Sequence, residues 1–172
     1  MNDNRASLAI AASAQSDPSI RVATREDSES LARLITPLGY PIDAGHIEQL
    51  WSSWSAEGNV ALVVEEQGSV LGVVTLHRMT VLHRPKPVGR ITSLAVDPAA
   101  QGRGLGRRLV DAAAATLTAA GCGVIEVTSH VRRVDAHNST TTSGFSEPAF
   151  ALPGIYSIHR RGRHDRASVR NP

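Results

Sequence analysis

Between Leu94 and Arg108 the chain reads Leu94-Ala95-Val96-Asp97-Pro98-Ala99-Ala100-Gln101-Gly102-Arg103-Gly104-Leu105-Gly106-Arg107-Arg108. An apolar run with strand character ends at Val96, glycines stand at 102, 104 and 106, and an amphipathic stretch follows. Such a turn at a helix start aims backbone N–H groups and the positive end of the helix dipole at one place, a geometry that binds phosphate. A side chain at Gly102, Gly104 or Gly106 would stand between a pyrophosphate and those amides, while Arg103, Arg107 and Arg108 would add cationic donors. Glycine spacing alone also fits a helix that starts with glycine for packing, or a dinucleotide-binding turn. The dinucleotide fingerprint opens its unit at the first strand and carries an acid about 20 residues later. Here the turn instead follows a hairpin pattern.

The elements that must hold this turn are legible on both sides of it. Ile20–Ala23 reads as a short strand, followed by Thr24, which can cap a helix with Asp27 answering from the third position. Leu31, Leu34 and Ile35 recur at helical spacing, and Leu38-Gly39-Tyr40-Pro41 ends that helix. A second helix is expected over Asp43–Trp54, with Ile47, Leu50, Trp51 and Trp54 on one side. From Asn59 the period changes to that of strands. Val60–Val64 and Ser69–Leu76 flank Glu66-Gln67-Gly68 as an antiparallel hairpin, and Gly89–Val96 supplies a further strand. A helix from Leu105 to Ala120 and a strand over Gly123–Ser129 complete one parallel crossover in a mixed α/β domain.

With this order established, Gln101-x-x-Gly104-x-Gly106 after Leu94-Ala95-Val96-Asp97-Pro98 resembles the acyl-CoA signature of the GNAT superfamily of N-acetyltransferases. A second landmark, Arg132-Arg133-Val134-Asp135-Ala136-His137, is similar to the entry of that family's last core helix, and the resemblance spans roughly residues 20–145. It implies an α/β fold with antiparallel N-terminal strands, a splayed parallel strand pair and flanking helices. It also implies acetyl-CoA as cosubstrate, bound by Leu94, Ala95 and Val96 along the strand and by Gln101, Gly102, Arg103, Gly104, Leu105, Gly106 and Arg107 around the turn. The reaction implied is direct attack of a neutral amine on the acetyl thioester, with no acyl-enzyme and no metal. The landmark is similar to small-molecule members such as aminoalkylphosphonate acetyltransferases, which makes a primary amine of a small molecule the expected acceptor. Protein N-termini, polyamines and aminoglycosides stay open.

Such a reaction needs a group that takes a proton from the amine and one that returns a proton to the thiolate. The strand Arg90–Ser93 lacks the carboxylate some relatives carry, so the base candidates are His83 in the preceding loop, a water chain through Thr92 or Ser93, and Glu126. The ordinary readings of His83 as a solvated loop residue, Glu126 as an outward strand position and His77 as a satisfied strand-end residue stand beside these. Cys122, flanked by glycines and without a nearby charge, reads as a packed structural thiol. The family's acid is a tyrosine two positions after an alanine-histidine-x sequence, and Thr140 occupies that place, with Ser139 at the preceding phenylalanine position. A threonine hydroxyl is far less acidic than a phenol of pKa about 10. Codons can be chosen for Ser139–Tyr156 which, read with one base restored, encode Phe-Tyr followed by Gly-Phe and a plausible last strand. The tail from Ser139 is therefore read as out of frame in preference to a naturally diverged tail, and the sheet edge it should cover as poorly covered. The alternative to catalysis is a non-catalytic CoA-binding or regulatory protein.

Composition bounds these readings. The chain has 172 residues, 41% hydrophobic and 20% charged, which suits one globular domain. Residues 1–138 hold 13 Lys+Arg against 14 Asp+Glu, whereas residues 139–172 hold 5 Arg against 2 acids. The body is thus neutral, and the His159–His164 arginine cluster continues no basic track, so nucleic-acid binding is not expected. No apolar run reaches the length of a membrane span, and the lone cysteine suits a cytoplasmic setting. Residues 1–18 read as a disordered leader, 19–158 as the N-acetyltransferase domain, aberrant after 138, and 159–172 as a basic disordered tail; a homodimer stays open.

Overall fold

A computed structural model describes residues 17–128 together with the strand Ile155–Ile158. The leader before Asp17, Thr140, the Arg132–His137 landmark and the basic tail lie outside the described residues. One sheet of six strands runs β1 (Ser19–Val22), β2 (Val60–Glu66), β3 (Ser69–Met79), β4 (Val88–Val96), β5 (Val124–Thr128) and β6 (Ile155–Ile158), in that spatial order. All neighbours are antiparallel except β4 and β5, which are parallel. Helix α3 (Leu105–Ala119) makes the crossover between that pair. Helices α1 (Ser28–Ile35) and α2 (Ala44–Ala56) lie between β1 and β2 in sequence.

The sheet is apolar on both faces because it is covered on both. Leu105, Leu109, Val110, Ala113 and Leu117 give α3 one apolar stripe, which packs with Leu62, Val64, Val74, Leu76, Ile91 and Ile125. On the other face, Leu31, Ala32 and Leu34 of α1 and Ile47 of α2 pack with Ala61, Val63, Val73 and Ala95. Among the described residues the fully buried core is aliphatic, with Trp51 and Trp54 packed against it only partly buried. The β2–β3 turn has positive φ at Gln67 (51°) and Gly68 (77°), as a tight hairpin requires.

Local chemistry fixes the remaining elements. The Thr24 N–H donates to the Asp27 carboxylate at 2.8 Å, and Arg21 clamps the same carboxylate from β1 at 2.7 and 2.8 Å. Asp43 caps α2 by accepting the His46 N–H at 2.8 Å. Strand β6 pairs antiparallel with Ile125–Thr128, so the edge beside β5 carries a partner strand over those residues. The edge expected to be poorly covered is thus paired over four residues. Ile155–Ile158 is the one tail run with strand character, and four apolar or small residues are enough to continue a ladder whose backbone groups need partners.

Candidate active site

Strand β4 changes partners along its length. It pairs with β3 from Val88 to Val96, but its parallel pairing with β5 stops at Ile91↔Val127. From Thr92 to Val96 the outer edge of β4 therefore has no strand beside it among the described residues. The divergence coincides with a bulge: Thr75 pairs with Ser93 but Leu76 pairs with Ile91, leaving Thr92 as an extra residue. A bulge breaks the two-residue alternation, and here it turns Thr92 and Ser93 to the same face. The Thr92 hydroxyl lies 2.8 Å from that of Thr75.

On that face lies a cleft of about 260 Å³ between the sheet and α1–α2. Leu31 and Ile35 line it from α1, Ile42 from the connection, and Ile47, Leu50, Trp51 and Trp54 from α2. Ala61, Thr75, Thr92 and Ser93 form its floor. The indole rings of Trp51 and Trp54 are tilted against each other with centroids 5.6 Å apart.

Strand β4 ends at the glycine-rich turn, which is braced at both ends. Asp97 accepts the Ala99 N–H at 2.9 Å and pairs with Arg33 of α1, which also donates to the Val70 carbonyl at 2.8 Å. The Ala99 N–H and Arg33 together hold the Asp97 carboxyl below the usual carboxylate range. At the other end Arg103 donates to Glu66 at 2.6 and 3.0 Å. Gly102 and Gly104 have φ of 77° and 75°, so their glycine identity is dictated by backbone conformation. Gly106 differs. It has no positive φ, and a Cβ there would meet only Val96, at an ordinary 3.7 Å. Neither conformation nor internal packing requires glycine at 106, which leaves close approach of an external group to the backbone as the physical reason. Helix α3 also begins without a side-chain cap, unlike α2. Its first N–H with a partner of helical type is that of Arg108, which donates to the Gly104 carbonyl at 3.1 Å. Among the described residues the amides from Gly104 to Arg107 have no hydrogen-bond partner and are open to a ligand. The strand edge, this uncapped turn and the space above Gly106 fit the pantetheine and pyrophosphate of a CoA thioester.

The sequence-derived residues thus divide. Leu94, Ala95, Val96, Gln101, Gly102, Arg103, Gly104, Leu105, Gly106 and Arg107 form one continuous strand end, turn and helix start. Of the guanidiniums expected as free donors, that of Arg103 is occupied by Glu66 and that of Arg108 by the Pro18 carbonyl at 2.5 Å, while Arg107 lies 3.8 Å from Asp111. Ser93 lines the cleft; His83 is exposed in the β3–β4 connection and is not part of the lining. Glu126 is not an outward, solvated position: it is half-buried and accepts from Arg90 at 2.9 Å, its parallel neighbour. His77 is bonded to the Asn59 side chain at 2.6 Å. Cys122 is half-buried beside the α3 core, and burial pushes its thiol pKa up, as suits an inert thiol. Sequence reasoning missed Thr75 and Glu66, which act through strands far away in the chain. The side of α2 carrying Ile47, Leu50, Trp51 and Trp54 was legible as one face, but not that only Ile47 of it is buried and that the face forms a cleft wall. Among the described residues no group of three His, Cys, Asp or Glu could hold a metal, and no helix is long and apolar enough to cross a membrane.

Comparison with known proteins agrees with this geometry. The family model described as Acetyltransferase (GNAT) family matches residues 26–145. An aminoglycoside N(6')-acetyltransferase type 1 of Stenotrophomonas maltophilia is 34% identical over 136 residues, covering 77% of this chain and 88% of the relative. An aminoalkylphosphonate N-acetyltransferase of Salmonella typhimurium is 28% identical over 133 residues, covering 76% and 86%. Among solved structures, yncA of Salmonella typhimurium with its cofactor acetyl-CoA superposes with a TM-score of 0.69 at 18% identity, covering 90% of this chain and all of that one. The forked strand, the uncapped glycine turn and these matches converge: the chain belongs to the acetyltransferase (GNAT) family of acyl-CoA N-acyltransferases, for which acetyl-CoA is the cosubstrate.

Proposed function

We propose that this protein transfers the acetyl group of acetyl-CoA to the primary amine of a small molecule held in the α1–α2 cleft. The observation that carries this reading is the fork at Ile91. There β4 leaves β5, offers the backbone of Leu94–Val96 to a pantetheine arm as if to another strand, and turns Thr92 and Ser93 into the cleft. With the pyrophosphate on the amides from Arg103 to Arg107, the thioester carbonyl lies between the strand edge and the cleft. The amine nitrogen attacks the carbonyl carbon, the C–N bond forms as the C–S bond breaks, the nitrogen loses one proton and the thiolate gains one. Of the base candidates, Thr92 and Ser93 line the cleft while His83 and Glu126 are not in its lining, which favours a proton path through water and the Ser93 or Thr92 hydroxyl. Calorimetric titration with acetyl-CoA, followed by thiol release over a panel of amines, tests the reading. Absence of acetyl-CoA binding rejects it.

A second reading is a CoA-binding protein without catalysis, favoured by the threonine at 140 where the family's tyrosine acid stands. The double substitution S139F/T140Y separates the two. If only the thiolate donor is missing, turnover rises by about 10²–10⁴-fold, the usual range for a general acid. An unchanged rate favours the binding role. For the tail itself we infer a one-base frame change before Ser139; a gene sequence that fails to give Phe-Tyr there with one base restored rejects that origin.

A further inference from the structure

We infer that the acceptor of this enzyme is a primary amine carried on an uncharged apolar body, an aryl or alkyl group that fills the cleft between α2 and the β4 bulge. The inference rests on the reading above that this cleft takes the acceptor, and it goes further by naming the chemistry of the acceptor. Among the described residues none of the eleven that line the cleft is charged; eight are apolar and three carry a hydroxyl. The hydroxyls sit together at the bulge, with Thr75 and Thr92 bonded to one another, so polarity is confined to the end where the amine would react. Everything farther away, from Ile35 and Ile42 to Trp51 and Trp54, is hydrocarbon or indole.

This lining excludes by cost as well as by fit. Among the described residues, a polycationic aminoglycoside would bring further ammonium groups against walls with no carboxylate to receive them, and a phosphonate would meet no Arg or Lys. Either charge would lose water without gaining a partner. An apolar body gains instead. Leu50 is 46% exposed and both tryptophans are only half-buried, so α2 presents apolar surface that the described residues leave uncovered. A dry cavity of about 150 Å³ accommodates benzene. The volume here, about 260 Å³, takes an aromatic ring with a short aliphatic arm. Apolar surroundings also disfavour the ammonium form, which supplies the neutral amine the attack requires where the described lining offers no carboxylate base.

The two tryptophans of the chain both stand in this cleft, so intrinsic fluorescence reports on its occupant independently of turnover. The intact protein is titrated with n-propylamine to n-hexylamine, with 2-phenylethylamine, with kanamycin and with 2-aminoethylphosphonate. The expected result is a saturable change whose Kd tightens by about fourfold per methylene until the cleft is full. 2-Phenylethylamine should saturate likewise, and the two charged probes should produce no saturable change. Ile42→Asp, on a half-buried loop wall, should abolish the chain-length dependence while leaving acetyl-CoA affinity unchanged by calorimetry. If that variant does not fold, the wild-type series decides alone. A Kd independent of chain length, no saturation by any apolar amine, or tighter binding of kanamycin or the phosphonate overturns the inference. Chain-length dependence without any acetyl-CoA binding would instead sink the transferase reading and leave the apolar occupant standing.

Discussion

Arg103 lays its guanidinium on the carboxylate of Glu66, at 2.6 and 3.0 Å, and so ties the glycine-rich turn to the end of β2, 37 residues earlier in the chain. A residue expected to serve the phosphates with its side chain instead braces the loop whose backbone would serve them. Arg103 in turn holds the Glu66 carboxyl below the usual carboxylate range, so the pair is intact at neutral pH. Because the pair is solvent-exposed, Glu66→Gln should leave the thermal unfolding midpoint nearly unchanged. Acetyl-CoA affinity should fall about two- to tenfold, since binding must then order the turn. Tighter binding in calorimetry would show that Arg103 is more useful when released to the phosphates.

Gly106→Ala should separate folding from binding. The new Cβ meets only Val96, at 3.7 Å, and alanine is the better helix former by about 0.5–1 kcal/mol. Chemical denaturation should therefore show equal or higher stability, while acetyl-CoA binding weakens at least tenfold because the methyl occupies the approach to the amides. Loss of both together would mean that glycine at this position serves the fold.

Ser93 and His83 give a paired test of the proton path. Ser93 lines the cleft at the bulge, whereas His83 is exposed in the β3–β4 connection. Ser93→Ala should lower kcat by at least tenfold with little change in the KM for acetyl-CoA, and His83→Ala should leave both parameters within about twofold. A large loss in the His83 variant would move the base to the loop.

The Arg21–Asp27 clamp predicts an acid-dependent stability. Arg21 holds the Asp27 carboxyl below its ordinary value of 3.8, the value expected in the unfolded chain. The folded state thus binds its proton less readily than the unfolded state. The resulting stabilisation is complete above about pH 5 and is lost as pH falls through 3.8 towards the depressed folded value. Asp27→Asn should cost about 2 kcal/mol at pH 7, from the charged hydrogen bonds to Arg21 and the Thr24 N–H. Urea midpoints of wild type and variant should converge below pH 3.8. A difference constant with pH would assign the effect to packing.

The sequence by itself determined the elements and the glycine-rich turn, because both are local. Strand and helix periods, the Asp43 cap and the glycines of a left-handed turn each depend on neighbours within a few residues. The same locality explains why Leu94–Val96 and Gln101–Arg107 could be read as one motif. Only the tertiary structure decided what the side chains around that motif do. Arg103 and Glu66 meet because a hairpin end and a helix start are brought together across the sheet, and no spacing along the chain encodes that meeting. Trp51 and Trp54 have the helical spacing of core residues; whether such a stripe is sealed or left as a cleft depends on how closely α2 approaches β3 and β4. The bulge at Thr92 is likewise a matter of pairing. Alternation predicts Thr92 and Ser93 on opposite faces, and one unpaired residue between two registered strands puts both on the floor of the site.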